Sequence, residues 1–304
     1  MTFTIRGNHY VPDMPAALYH SDPCAVPSLS PSIAKVLIGE CEAHAYARHP
    51  RFDGMPWEST DEMDFGTLVH ALLLGKDGDR IGVIYVEDSK TKAIVPAQDF
   101  RTNAAKDARD KLRAEGKTPV LQKHVDRARK LVNRAQAGLT RHGIDLSGGE
   151  AEVSIFWEAT ASNGAKVQCR CRLDWVKNAL MRDLKTCDSA HPLAIQSSVD
   201  NQGYYIQQAA NRQALTAVKP EYVGRTHYEW IFIEQGWPHC VNPSIPSGQL
   251  AAMGESEWQR AVDTWERCLR TNEWPEYSEP GVLSVVEPTR RMVARWEEHV
   301  YGER

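Results

Sequence analysis

The sequence predicts a mixed α/β fold in which a mainly antiparallel sheet is flanked by helices. Two segments, residues 169–176 and 180–186, have the side-chain alternation of strands, and a three-residue turn joins them into a hairpin. Other segments, such as residues 125–139, repeat apolar residues at the spacing of a helix. Helices on both sides of the strands in the sequence are typical of a mixed core. A chain of 304 residues, 42% of them hydrophobic, is long enough to bury such a core.

The N-terminal half is predicted to contain helices and one strand. Ser30 is the expected N-cap of a helix, and Pro31 suits its first position. A second helix is predicted over residues 64–74, and a strand over residues 81–86. The last helix of this half is expected to end at residues 142–143, because glycine favours the left-handed conformation that follows a helix.

The C-terminal half is predicted to supply most of the sheet. Residues 152–157 alternate as a strand and lead through a turn at residues 163–164 into the hairpin. A helical stretch over residues 193–217, a strand over 225–233 and a helix over 255–269 follow. This order gives three antiparallel strands, then helix, strand and helix.

The whole chain, residues 1–304, is expected to form one domain. Residues 1–60 form its helical N-terminal portion and residues 250–304 a helical C-terminal extension. No window approaches the roughly 20 apolar residues of a membrane span, and the N-terminus lacks the apolar run of a signal peptide. We therefore expect an intracellular protein with no membrane partner. Seven cysteines without a small-scaffold spacing pattern predict reduced thiols rather than a disulfide framework.

The charge is unevenly distributed along the chain. The formal net charge is −4, which by itself argues against a nucleic-acid-binding protein. Residues 101–141, however, hold 12 Lys or Arg against four Asp or Glu, a local charge of +8. This stretch predicts a phosphate-binding face, with an ordinary solvated helix surface as the alternative.

The hairpin contains the charged residues that are best suited to catalysis or metal binding. In its first strand Arg170, Arg172 and Asp174 lie on one charged face, and in its second strand Asp183 and Lys185 share a face. Two carboxylates and an ammonium on one patch of sheet can bind a divalent metal beside a phosphodiester. The order is that of a PD-(D/E)xK nuclease core, with Leu-Asp in place of Pro-Asp. A surface ion pair between Asp183 and Lys185 is the alternative interpretation.

Collinear motifs spread over most of the chain make the pattern more specific. They lie at residues 66–70, 101–106, 151–158, 169–174, 183–186, 204–209 and 272–275. Through them the chain resembles the RecE-type phage exonucleases, the nuclease domain of exodeoxyribonuclease VIII, within the PD-(D/E)xK superfamily. The resemblance implies the nuclease fold, with the mixed, mainly antiparallel sheet described above.

The resemblance also implies roles for individual residues. His70, Asp174 and Asp183 match metal ligands, and Lys185 matches the catalytic lysine. Without the resemblance, a lone helical histidine such as His70 is more often structural. Hard Mg²⁺ held by carboxylates would neutralise the charge that develops in phosphodiester hydrolysis, and a histidine ligand tolerates Mn²⁺ better. We therefore expect Mg²⁺ as the cofactor, with Mn²⁺ as a substitute.

Further positions complete the predicted site. Glu152 matches an acidic family position near the metal. Gln207 matches the glutamine of a helical Q-x-x-x-Y motif that borders the active site, but the position of its tyrosine is occupied by Asn211. The predicted DNA-binding residues are Arg101, Lys106, Arg170 and Arg172.

The function implied by the resemblance is an exodeoxyribonuclease. It would degrade one strand of linear duplex DNA from 5′ to 3′ and leave 3′ single-stranded tails for recombination by strand annealing. The implied partners are linear duplex DNA, a phage single-strand annealing protein and further copies of the chain in a ring, such as a tetramer. The implied setting is the cytoplasm of a bacterial host, with a phage or prophage gene.

Two other functions remain as alternatives. One is a CRISPR-associated or helicase-associated nuclease of the iron–sulfur type, although no C-x₂-C or similar cysteine cluster occurs in the sequence. The other is a non-catalytic DNA-binding module with a degenerate site. The presence of Asp174, Asp183 and Lys185 favours the enzyme over this module.

Overall fold

The computed structural model describes residues 4–52, 59–76 and 78–301. Its strands are β1 (His9–Val11), β2 (Ile81–Val83), β3 (Tyr85–Glu87), β4 (Ile94–Pro96), β5 (Thr118–Val120), β6 (Glu150–Thr160), β7 (Lys166–Lys177), β8 (Leu180–Cys187), β9 (His227–Glu234) and β10 (Val241–Ser244). Its α-helices are α1 (Ala16–His20), α2 (Pro31–Gly39), α3 (Glu42–Arg48), α4 (Asp61–Leu74), α5 (Asn103–Ala114), α6 (Gln122–Arg141), α7 (Pro192–Asn201), α8 (Tyr204–Val218), α9 (Gly248–Thr271) and α10 (Arg290–Tyr301). None of the helices described is long and apolar enough to cross a bilayer.

A six-stranded sheet organises the molecule. Its strand order is β1-β6-β7-β8-β9-β10, and every neighbouring pair is antiparallel except β8 and β9, which run parallel. The parallel pair is joined through α7 and α8, since parallel strands need a long crossover connection. Helices flank this sheet, which confirms the predicted mixed α/β class.

Each face of the sheet is covered by a different set of helices. On one face α2, α7, α8 and α9 pack over a core that contains four buried tryptophans, Trp157, Trp230, Trp258 and Trp265. On the other face α4 and α6 pack over Leu184 of β8 and over Ile231 and Ile233 of β9. The centre of the sheet is therefore dry on both sides, and polar groups there need protein partners.

The N-terminal segment covers the polar face of β7. Arg170 is only 4% exposed, its Nη1 lies 3.1 Å from Asp22 Oδ1, and it donates to the Ser28 carbonyl oxygen at 2.9 Å. Ser28 Oγ in turn donates to Asp22 Oδ1 at 2.6 Å. A segment some 140 residues earlier in the chain thus folds over this face and supplies a buried carboxylate to Arg170. This burial disfavours the DNA contact expected for Arg170, which stays a prediction.

Most predicted helix boundaries are confirmed, with local differences. Ser30 caps α2 by accepting a hydrogen bond from the Ile33 amide, and α6 ends before His142 as expected. Helix α4 starts at Asp61, earlier than predicted, because Thr60 accepts a hydrogen bond from the Met63 amide.

Two predicted segments are divided in the structure. The strand predicted over residues 81–86 is two short strands, β2 and β3, which pair with different partners. The helix predicted over residues 193–217 is α7 and α8, because Gly203 adopts the left-handed conformation (φ 59°) between them.

The two ends of the chain are less uniform than the sequence suggested. The N-terminal portion contains α1–α3 but also β1, which pairs with β6 at the edge of the sheet. In the C-terminal extension α9 packs into the core through Trp258 and Trp265, whereas α10 buries no residue. The assignment of the whole chain to one domain stays a prediction.

Candidate active site

The site lies where β7 and β8 stop pairing. Their ladder consists of three residue pairs, the last of which is Trp175 with Arg182. One step further the same register would pair Asp174 with Asp183. Instead, the Leu184 amide donates to the Asp174 carboxylate (N–Oδ2 2.8 Å), so a side chain replaces the missing backbone acceptor. This hydrogen bond holds the Asp174 side chain in the gap between the two strands.

Strand β6 delivers a second carboxylate to the same gap. Ala151 pairs with Trp175 and Val153 with Leu173, so Glu152 lies opposite Asp174 on the neighbouring strand. Glu152 has a left-handed backbone (φ 56°), which is uncommon for a residue other than glycine. Arg172 Nε donates to Glu152 Oε2 at 2.6 Å and orients this carboxylate.

Helix α4, which packs against β8, supplies an imidazole to the same gap between β7 and β8. A Cβ added at Gly66 would lie 3.3 Å from Thr186 Oγ1, so α4 approaches β8 more closely there than a side chain would readily allow. His70 follows one helical turn later on the same face. Its Nδ1 lies 3.8 Å from Asp174 Oδ2.

His70, Glu152 and Asp174 form a candidate metal centre. Their ligand atoms lie within 4.8 Å of one another, and no other such group of three occurs in the described part of the chain. Burial lowers the pKa of His70, so its imidazole is neutral and can bind a cation. Burial and then the Asp183 charge raise the pKa of Asp174 well above its usual range. One nitrogen and two carboxylate oxygens suit a divalent cation, whose charge would relieve the repulsion among these acids.

Asp183, Lys185 and Gln207 form a second, adjoining group. Lys185 Nζ lies 2.8 Å from Asp183 Oδ2, and Gln207 Nε2 donates to Asp183 Oδ1 at 3.2 Å. Lys185 Nζ also donates to Gln207 Oε1 at 3.4 Å. Asp183 is only 3% exposed, so the alternative of a surface ion pair is wrong.

Asp183 differs from its predicted arrangement. It contacts Lys185 and Gln207 rather than joining the three-residue group of candidate ligands. Its Oδ2 atom is buried and lies 2.8 Å from the Lys185 ammonium. Both carboxylate oxygens of Asp183 thus already face a protein partner, and its role as a metal ligand stays a prediction.

Lys185 keeps its charge in this setting. Burial alone would lower the pKa of its ammonium, but the charges of Asp183 and Asp174 outweigh burial and raise it. The site therefore holds a fixed positive charge beside its carboxylates.

Sequence reasoning missed two aromatic neighbours of the site. Lys185 Nζ lies 4.5 Å from the centre of the Tyr204 ring, and Tyr204 precedes Gln207 by one helical turn on α8. Asn211, at the position of the family tyrosine, is buried and donates to the Tyr228 hydroxyl at 3.1 Å. The Gln207 spacing could have singled out Tyr204, whereas the Tyr228 contact joins α8 to β9 and has no signal in the sequence.

The predicted DNA-binding residues have different environments. Arg101 and Lys106 are exposed, and Arg101 pairs with Asp99. Arg172, with a side chain only 10% exposed, donates to Glu152 and to the Met14 carbonyl oxygen. Arg172 therefore supports Glu152, and the DNA contacts expected for Arg101, Lys106 and Arg172 stay predictions.

None of the cysteines belongs to a candidate group of metal ligands in the described part of the chain. All seven are free thiols, and Cys169 and Cys171 are residues of β7 whose side chains are buried in the core. Burial raises the pKa of the Cys169 and Cys171 thiols, so they are protonated and uncharged at neutral pH. These are properties of core residues rather than of iron–sulfur ligands.

Comparison with known proteins supports the nuclease-like fold. The family model of a PDDEXK-like domain of unknown function (DUF3799) matches residues 30–281. Among solved structures, the chain is similar to the crystal structure of a "Putative exonuclease" from Eubacterium rectale, with a TM-score of 0.54 and 13% identity over 88% of this chain and 92% of that chain. At 13% identity the likeness concerns the fold alone. No curated protein matches the sequence.

The raised pKa of Asp174 predicts a pH-dependent stability of the metal-free protein. The folded state binds the Asp174 proton more tightly than the unfolded chain, in which an aspartate has a pKa of about 3.9. This tighter proton binding adds to the free energy of unfolding below about pH 4. The contribution is lost as the pH rises toward the raised pKa of Asp174. In EDTA at pH 8, Asp174→Asn should therefore melt at a higher temperature than the wild type, and the difference should shrink toward pH 4.

Thermal melts of both proteins over this pH range measure the effect. Asp188→Asn, a change at an exposed carboxylate of the β8–α7 connection, is the matched control and should follow the wild type. A wild-type protein that is as stable as Asp174→Asn at every pH would show that the ionised Asp174 carboxylate does not destabilise the metal-free protein.

Proposed function

The chain belongs to the family of PDDEXK-like domains, and on that basis we propose that it is a metal-dependent deoxyribonuclease that degrades linear duplex DNA from its ends. One observation carries the proposal. His70, Glu152 and Asp174 converge within 4.8 Å, next to the Lys185 ammonium, at the point where β7 and β8 separate. Three acidic or imidazole ligands beside a fixed lysine charge are suited to phosphodiester hydrolysis.

Each residue of the site has a distinct task in this mechanism. His70, Glu152 and Asp174 would hold the cation, and a ligand role for Asp183 is proposed from the sequence resemblance alone. A divalent cation, Mg²⁺ with Mn²⁺ as substitute, would supply positive charge to the phosphate oxygens and activate a water molecule. Lys185, held by Asp183 and Gln207, would donate a hydrogen bond to a phosphate oxygen or to the attacking water.

The environment of Lys185 supports its use in the transition state. Its ammonium is held by two polar partners on β8 and α8 and lies against the Tyr204 ring, so its position is set before substrate binds. A preorganised charge that acts where negative charge develops lowers the barrier without reorganisation at the moment of reaction.

The finer properties of the reaction are proposed from the sequence resemblance. They are exonuclease action on one strand, the 5′-to-3′ direction, and release of 3′ tails for strand annealing. The name of the Eubacterium rectale protein is consistent with an exonuclease. A phage single-strand annealing protein, a ring of several copies and the cytoplasm of a bacterial host complete the proposal.

Loss of the Lys185 charge should separate catalysis from binding. Lys185→Met should lower kcat by about 10²–10³-fold, the cost of removing one charge-stabilising group from an active site. Affinity for DNA, measured with Ca²⁺ to block cleavage, should change far less. Release of acid-soluble nucleotides from linear duplex, with and without Mg²⁺, is the activity measurement.

Controls make this result specific. Lys90→Met removes an exposed lysine from the β3–β4 turn and should leave kcat unchanged. Asp183→Asn should lower kcat as Lys185→Met does, because Lys185 would lose its ion pair. If Lys185→Met keeps the wild-type kcat, this site is not the active site.

The basic stretch of residues 101–141 should contribute to the salt dependence of DNA binding if it follows the backbone. Each phosphate neutralised on duplex DNA adds about −0.9 to the slope of log affinity against log salt. Replacing Arg101 and Lys106 by alanine should flatten this slope and shorten each processive run, whereas replacing Lys123 and Lys130 should have less effect. Binding titrations of both double variants with Ca²⁺ provide the comparison, and equal, unchanged slopes would place the DNA elsewhere.

A further inference from the structure

Lys35 reaches the active site from the helix layer above it. It lies on α2 between Ala34 and Val36, both of which are buried in the core. A Cβ added at Gly203 would lie 3.0 Å from Cγ and Cδ of Lys35, so the lysine stem lies directly on this glycine. The absence of a side chain at Gly203 thus lets Lys35 extend across the start of α8.

The Lys35 ammonium shares an aromatic surface with Lys185. Its Nζ lies 5.5 Å from the centre of the Tyr204 ring, and Lys185 Nζ lies 4.5 Å from the same centre. Two ammonium groups therefore border one ring at the edge of the site. Such cations are attracted to the face of an aromatic ring, but the ring carries no net charge to neutralise them.

Lys35 lacks an anionic partner among the residues that the structure describes. It makes no hydrogen bond or ion pair there, and the nearby Asp183 is already in contact with Lys185 and Gln207. Burial, followed by the Lys185 charge, lowers the pKa of Lys35 to about 8, so the ammonium remains mostly protonated at neutral pH. A partly buried cation without a counterion is costly, which indicates that an anion completes this corner of the site.

The adjoining helix start has the same electrostatic preference. Helix α8 begins at Tyr204, and its N-cap, Gly203, has no side chain that could cap the free amides. The N-terminus of a 15-residue helix carries partial positive charge and favours anions. Lys35, Lys185 and this helix start therefore all place positive charge close to Tyr204.

We propose that Lys35 binds a phosphate of the DNA backbone next to the phosphate at the metal centre, and so adds to the affinity of the site for the strand. This inference rests on the nuclease function proposed above and extends it to substrate binding. The ligand is a phosphodiester oxygen, which a lysine ammonium binds as a point charge. Lys35 acts in both the bound substrate and the transition state, so it contributes to affinity more than to kcat.

A substitution series tests this role. Lys35→Met keeps the length and apolar character of the stem, Lys35→Gln keeps a polar head without charge, and Lys35→Arg keeps the charge. Lys90→Met, at the exposed β3–β4 turn, is the matched control. Binding of a labelled linear duplex is titrated with Ca²⁺ at several salt concentrations, and kcat is measured with Mg²⁺ at saturating DNA.

The expected result separates phosphate binding from a structural role. Both neutral variants should bind DNA about tenfold more weakly, as for loss of a hydrogen bond to a charged group. Their slope of log affinity against log salt should be shallower by about 0.7–0.9, the value of one phosphate contact. Lys35→Arg should restore most of both, kcat should stay near the wild-type value, and the melting temperature should hold or rise because an unpaired charge is removed.

Several outcomes would overturn the inference. An active wild type whose neutral Lys35 variants retain its affinity and salt slope would show that Lys35 binds no phosphate while the nuclease function stands. A lower melting temperature with an unchanged salt slope would make Lys35 a structural residue. A wild type that neither binds nor cleaves DNA would overturn the proposed function together with this inference.

Discussion

The hydrogen bond between the Leu184 amide and the Asp174 carboxylate is the contact on which the site depends. Where β7 and β8 separate, the Leu184 amide loses its strand partner, and a buried donor without an acceptor would be costly. The Asp174 side chain fills that need and is thereby fixed in the gap. The register with β6 then brings Glu152 opposite it, and His70 closes the group from α4. The interruption of strand pairing thus brings together the side chains that can bind a cation.

Burial of so many carboxylates requires compensation from the surrounding protein. Arg172 holds Glu152, and Lys185 holds Asp183, so two of the three acids already have a basic partner. Asp174 makes no ion pair with a lysine or arginine among the described residues; it lies beside the neutral His70 imidazole and interacts with the Lys185 charge only at longer range. The remaining negative charge is therefore concentrated at the candidate metal centre, where a divalent cation would be most strongly bound.

The sequence predicted the local features of this fold better than its long-range contacts. Period-two alternation located the hairpin, and the Ser30 cap located α2, because both patterns are set by neighbours in the chain. The burial of Arg170 by Asp22 could not be predicted, since it depends on a segment far away in sequence. Likewise, only the family resemblance indicated His70 as a ligand. The place of Lys35 beside the site could not be predicted, because it depends on the packing of α2 against Gly203.

The central claim is that His70, Glu152 and Asp174 hold a divalent cation beside Lys185. Electron paramagnetic resonance of Mn²⁺ tests it most directly, because the signal of free Mn²⁺ decreases as the ion binds. The wild type at pH 7.5 should deplete this signal, and Asp174→Asn should leave most of it, while Asp188→Asn should bind as the wild type does. Equal Mn²⁺ binding by Asp174→Asn and the wild type would contradict the account, because Asp174 is the residue that the strand separation fixes in the centre of the group.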